Sequence, residues 1–346
     1  MFIILIKIMS ISIHIPFYNP NPEKKEGFRN LTRFDYLKEN ILNLKKLSIK
    51  NDIFIHTHNN YLDDKNLEAK IIKHEINQED LEKGYLTWLS RPMMEKQKNE
   101  YEYFMYLEHD IKFTEKNLQY WLKYNNNLND KKFHLGFFIY EKSNIDNQKY
   151  SIHILEKLNK FILINNNKFI INDLDNYCCF WIYNKKQFFS FIKSEWWSFK
   201  KKVTNFRHNY GITERSSIGY HAYNINYFKA TLIPEIDEKP DPDCFVEHIT
   251  NNYFEKFIEF RNDDLKDIRG VCKYKTTEVF EIKKKQKEIE NFESNKTEIG
   301  WGHQIRSYVL QPYRLVKDNR TNYESTDPEK ILNGEIDSFL ESSLFR

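Results

Sequence analysis

From Ser10 the chain alternates apolar and polar residues, with Ile11, Ile13 and Ile15 on one side and Ser12 and His14 on the other. A two-residue period predicts a half-buried β-strand, which Pro16 and the run Asn19-Pro20-Asn21-Pro22 bring to a stop. Leu37, Ile41 and Leu44 then share one helical face behind Thr32, an N-cap residue followed three positions later by acidic Asp35. Ile53-Phe54-Ile55 predicts a second strand and Ala69 to Ile76 a third, while Tyr85 to Lys98 predicts a helical segment kinked near Pro92. Tyr103-Phe104-Met105-Tyr106-Leu107 predicts a strand that runs straight into Glu108-His109-Asp110, and Phe137 to Tyr140 and Cys179 to Tyr183 are strand-like as well.

Strands alternating with helices predict an α/β architecture with a mixed, mainly parallel sheet flanked by helices. Such sheets bind ligands beyond the carboxyl ends of their strands, where the Pro/Asn loop and Glu108-His109-Asp110 both fall. Glu108 and Asp110 are two apart in extended chain, so their carboxylates point the same way. A pair so placed holds one divalent ion, Mg²⁺ or Mn²⁺, against a diphosphate, although surface carboxylates with this spacing are also common.

Composition narrows the classes. An apolar fraction of 40% with 27 Phe, 22 Tyr and 6 Trp excludes a disordered chain, and 53 basic against 50 acidic residues lack the lopsided charge of a dedicated nucleic-acid binder. Cys178, Cys179, Cys244 and Cys272 do not form the C-x-x-C spacing of a zinc or redox site, which predicts buried, reduced thiols in a cytoplasmic protein. The apolar stretch Phe2 to Ile8 is far short of a membrane span, and residues 1–9 are expected to be a leader or to precede a true start at Met9.

The segments Ile13 to Asn19, Tyr106-Leu107-Glu108-His109-Asp110-Ile111 and Val246 to Tyr253 together resemble the GT-A class of glycosyltransferases over residues 10–262. That resemblance implies a GT-A fold, a nucleotide-diphosphate sugar as donor, an unknown glycan, lipid or protein as acceptor, and a divalent cation. It places Pro16, Tyr18, Asn19 and Glu108 at the nucleotide and Asp110 and His248 at the metal, with the acceptor half running from Phe133 to about Tyr253. His109 stands where the class more often has an acidic residue. Glu214 is the candidate general base, or else the partner of an ordinary ion pair with Arg215. His248 is otherwise a hydrogen-bonded histidine, and Trp196-Trp197 either stacks on a sugar or belongs to the core.

Residues 263–276 are polar and aperiodic, which predicts a junction, and from about Thr277 the wording changes. Lys283 to Glu293 predicts a charged helix. Thr297 to Leu310, Pro312-Tyr313, Val316-Lys317-Asp318 and Arg320-Thr321, continuing to Phe339-Leu340-Glu341, closely resemble the C-terminal segment of bacterial peptide chain release factor 2. Peptidyl-tRNA hydrolysis in that family needs a Gly-Gly-Gln loop, and none of the 9 glycines here adjoins another. Residues 277–346 are therefore expected to be a fusion relic, an assembly join or a ribosome-binding piece without hydrolysis. Their Ile305 to Leu310 strand is expected to lack partners and to be loosely packed. Three functions stay open: a metal-dependent sugar transferase, a release factor-like ribosome binder, and a catalytically inactive nucleotide-sugar-binding protein.

Overall fold

The computed structural model describes residues 9–129, 133–198, 211–219, 230–254, 272–282, 305–311 and 313–344. It divides into two compact units, the first ending at Ile282 and the second beginning at Lys283.

The first unit is built on a five-stranded sheet, with β1 (Ser10–Pro16), β2 (Lys50–Thr57), β3 (Lys70–Lys73), β4 (Tyr103–Leu107) and β5 (Phe180–Asn184) in spatial order β3-β2-β1-β4-β5. The first four run parallel and β5 is antiparallel to β4, so the mixed, mainly parallel α/β class is the one observed. Ile13 sits between Ile53 and Met105 in register. Helix α1 (Arg33–Leu44) covers one face with Leu37, Ile41 and Leu44, and begins at a complete capping box of Thr32 and Asp35, a device that stabilises a helix start by about 1 kcal/mol. The other face carries Phe54, Phe104, Tyr106, Trp181 and Tyr183 against Phe188 and Phe191.

The first strand departs from expectation, because it is buried on both faces. Ser12 and His14 are both fully buried, as parallel strands sandwiched between layers usually are. Their polar atoms find partners inside. Ser12 Oγ donates to Gln97 Oε1 at 2.9 Å, and His14 Nε2 lies 3.0 Å from the same oxygen. His14 Nδ1 meets His56 Nε2 at 2.8 Å, and His56 Nδ1 meets His74 Nε2 at 2.7 Å. The result is a ladder of stacked imidazoles running from β1 across β2 to the end of β3. Burial pushes His14 down to about 3 and His56 to about 2.

The expected Tyr85 to Lys98 helix is two pieces, a 3₁₀ turn Tyr85–Trp88 and a helix Arg91–Lys96. The break precedes Pro92, which fits the first turn of a helix but not its interior. A second five-stranded sheet takes its order from Tyr274–Lys275 through Lys149–Ser151, Phe138–Lys142 and Phe245–His248 to Ile111–Lys112. Four antiparallel strands, Phe161–Ile164, Asn167–Asn172, Thr231–Ile236 and Lys239–Pro240, make a third. All four cysteines are buried and outside any disulfide. Cys272, Val279, Phe280 and Ile282 pack into the first unit's core, so the compact division falls a few residues beyond Thr277.

In the second unit the expectation of an unpartnered strand is corrected. Arg306–Val309 pairs with Leu315–Asp318, which pairs in turn with Glu324–Ser325, so the partners come from the tail itself. Helices Pro328–Leu332 and Asp337–Leu344 follow, separated at Gly334 with φ +102°. Phe339 and Val316 are fully buried, and Asp318 is gripped by Arg306 and Arg320. The leader Phe2 to Ile8, most of the 263–276 junction, and the Lys283 to Glu293 helix lie outside the described residues.

Candidate active site

Where β4 ends, Glu108 N still donates to Cys179 O beside β5, and the chain then turns, with Ile111 N bonded to Glu108 O. The buried Asn40 of α1 pins this turn by donating to His109 O and Ile111 O. On leaving the turn, Ile111–Lys112 pairs antiparallel with Phe245–His248, so that His248 lies opposite Ile111, and Ile249 N bonds Asp110 O at 3.0 Å. Backbone pairing thus brings His248 Nε2 to 3.2 Å from Asp110 Oδ2. On the other side, Phe245–His248 runs parallel to Phe138–Lys142 with Glu247 opposite Tyr140, and buried Glu141 bonds His248 Nδ1 at 2.5 Å.

A cavity of about 270 Å³ opens above the turn, lined by Pro16, Tyr18, Arg33, Leu81, Gly84, Leu86, Thr87, Glu108, His109, Asp110 and Thr213. Four of the residues read from the sequence, Pro16, Tyr18, Glu108 and Asp110, therefore share one wall system. Asn19 is buried in the adjoining loop, and among the described residues neither its Oδ1 nor its Nδ2 has a partner. His109 Nε2 is likewise shielded and unbonded. Arg33 donates from Nε to Glu26 and from Nη1 to Tyr18 O, which sets a cation in the wall.

The carboxylates are driven apart electrically. Loss of water pushes Glu108 up to about 8, and the nearby charges of Asp110 and Glu214 push the same way, against the bond from Ser217. Asp110 goes the other way. Burial alone would raise it, but His109 and His248 hold it well below the usual carboxylate range. Burial would lower His248, yet Asp110 and Glu141 overcome this and raise it to about 10. Two carboxyl groups two residues apart are thus shifted in opposite directions.

Glu214 sits on the helix Ile212–Ile218, whose Thr213 lines the cavity and whose Ser217 donates to Glu108 Oε1 at 2.8 Å; Glu214 is not among the lining residues. Trp197 packs edge-on against Phe188 and Phe191 and donates Nε1 to Glu95. It also borders a separate groove of about 940 Å³ together with Tyr85, Trp88 and Arg91. Sequence reasoning missed Arg33, Ser217, Glu141 and Tyr177, whose hydroxyl donates to Glu108 at 3.2 Å. Glu141 left one trace, a carboxylate directly after the apolar run Phe137 to Tyr140. Gly27 supports the loop from outside. Its φ is +72°, and a Cβ there would lie 2.0 Å from Thr250 O, so only glycine lets the 25–32 hairpin close on the segment that carries His248.

The donor set suits a hard or borderline divalent ion, with one carboxylate oxygen and one imidazole nitrogen. Among the described residues no three Asp, Glu, His or Cys side chains converge to hold an ion unaided. Phosphate and water would supply the remaining ligands, as they usually do for Mg²⁺. Among the described residues no helix is long and apolar enough to cross a membrane.

No family model matches the chain. Sixty-four residues, 18% of the chain, are 53% identical to peptide chain release factor 2 of Caulobacter vibrioides, and the same length is 50% identical to that of Rickettsia prowazekii. The chain spans only 17% of the length of these relatives. Among solved structures, the inositol-1-phosphate CTP transferase of T. maritima is similar over 55% of this chain and 76% of its own, with 17% identity and a TM-score of 0.29. The 4-diphosphocytidyl-2C-methyl-D-erythritol synthase of Anaerococcus prevotii is similar over 57% of this chain and 79% of its own, with 12% identity and a TM-score of 0.27. S. aureus TarS 1-349 has 12% identity over 53% of this chain and 49% of its own, with a TM-score of 0.30.

Proposed function

We propose that the unit ending at Ile282 transfers a sugar from a nucleoside-diphosphate donor to an acceptor hydroxyl, with Mn²⁺ or Mg²⁺ held by Asp110 and His248. The observation that carries this reading is the Asp110–His248 pair at 3.2 Å, placed at the carboxyl end of the central sheet beside a cavity walled by Pro16, Tyr18, Arg33 and Glu108. A bound ion there supplies Lewis-acid stabilisation of the departing diphosphate. Arg33 adds a fixed positive charge for phosphate oxygens. Glu108 faces the nucleotide, with Ser217 and Tyr177 donating to its Oε1 and holding the carboxyl group in place. Asn19 offers a buried amide with both donor and acceptor capacity. Glu214, on the helix whose Thr213 borders the cavity, is the base assigned to the acceptor hydroxyl.

The direct test is thermal unfolding with UDP or GDP and Mn²⁺. A ligand that binds only the folded form raises the melting temperature by mass action. The proposed site requires a rise that depends on both nucleotide and metal, and equal curves with and without them would remove it. Turnover of the donor, measured next, separates a transferase from an inactive nucleotide-sugar binder. The 64-residue match favours a second activity for the tail alone, binding to ribosomes without hydrolysis. Cosedimentation of the full chain with 70S ribosomes tests it, and a chain that stays in the supernatant excludes it.

A further inference from the structure

Resting on the reading of Asp110 and His248 as ion ligands, we infer that Glu141 is the positioning residue that aims the His248 imidazole at the ion. Glu141 is fully buried, and both its oxygens are occupied by donors. Oε2 accepts from Tyr253 N at 3.0 Å and Phe254 N at 2.5 Å, and Oε1 lies 2.5 Å from His248 Nδ1 and 3.2 Å from Tyr253 N. Since these oxygens already accept backbone hydrogens, the hydrogen of the His248 contact belongs to Nδ1. With that hydrogen fixed on Nδ1, an ion displaces the proton at Nε2, the nitrogen that faces Asp110 Oδ2, and takes up the lone pair there. Carboxylates placed behind a ligating histidine in this way set its tautomer and rotation, and their loss typically weakens metal binding 10- to 100-fold. Tyr253 stacks on the same ring at 5.3 Å and Thr250 Oγ1 lies 3.0 Å from Nε2, so the imidazole is held on its face and edges as well. Glu141 touches neither the cavity nor Asp110 among the described contacts. Its effect on an ion passes through His248.

Glu141→Gln separates aiming from packing, because it keeps the shape but adds one NH₂ group. Turned towards His248, that group gives its hydrogen to Nδ1 and leaves the ring's own hydrogen on Nε2, where it blocks ligation. Turned the other way, it opposes the backbone donors. The experiment measures Mn²⁺ affinity of the full chain from the EPR signal of free Mn²⁺, for wild type, E141Q, H248A, the E141Q/H248A double variant and D110N. Expected is a loss of at least tenfold for E141Q, and less than a twofold further loss when E141Q is added to H248A. An E141Q affinity within twofold of wild type, beside a D110N loss, overturns the role of Glu141 and leaves the ion site standing. Equal losses in both backgrounds also overturn it, because Glu141 would then act on the fold rather than the ring. Wild-type affinity insensitive to both D110N and H248A overturns the ion site and this inference together. Should E141Q fail to fold, ¹⁵N-histidine spectra of the wild-type chain saturated with Mg²⁺ decide instead. A hydrogen on Nδ1 of His248 is required, and one on Nε2 overturns the proposal.

Discussion

Among the described residues neither atom of the buried Asn19 amide has a hydrogen-bond partner, and an unsatisfied buried polar group costs about 1–3 kcal/mol. Asn19→Leu, similar in volume and without polar atoms, is therefore expected to match or exceed wild-type stability in denaturant titrations. Its affinity for UDP or GDP should fall at least fivefold by calorimetry. A variant that loses stability and keeps its affinity would give the amide a structural role instead. Asp110→Asn preserves shape and removes the charge that faces His248, so the melting-temperature rise caused by nucleotide with Mn²⁺ is expected to vanish. A full rise in that variant would take Asp110 out of the site. Glu108 and Asp110 were legible in the sequence because they are neighbours at the end of an apolar strand. Ser217, Tyr177 and Glu141 were not, because strand and helix packing brings them in from positions with no shared spacing.

At the scale of the element, β1 was placed correctly by its alternating isoleucines, yet alternation was misread as a sign of one wet face. Period-2 patterning reports which residues share a side, and says nothing of whether a buried polar side can pair internally. Here the polar side pairs with β2 and with the end of β3 through His14, His56 and His74. Folding holds His14 near 3 and His56 near 2, whereas in the unfolded chain a histidine titrates near 6.5. Between those values the unfolded form binds more protons, so stability is full above about pH 6.5 and falls as the pH drops towards 3. The slope is up to about 1.4 kcal/mol per pH unit for each of the two rings. Urea titrations at pH 7 and pH 5 should show the loss, and His56→Phe should make the slope shallower by about one proton. An unchanged slope in that variant would place the acid sensitivity elsewhere.

For the whole molecule, the change of wording read from the sequence falls at about Thr277, while the packing boundary follows burial and lies after Ile282. Truncation after Ile282 is expected to keep the nucleotide response and a single cooperative unfolding transition. Truncation after residue 271 also removes Cys272, Val279, Phe280 and Ile282. Burying an apolar side chain contributes about 1.5–3 kcal/mol, so a loss of several kcal/mol should appear in denaturant titrations. Equal stability of the two truncated chains would move the boundary back. Asp110 and His248 meet across 138 positions of sequence. At about 5–20 residues per second, a ribosome needs roughly 7–28 s to travel from one to the other. Throughout that interval the growing polypeptide displays the carboxylate without its histidine, so an ion that needs both residues, as proposed above, would bind only after His248 has been made.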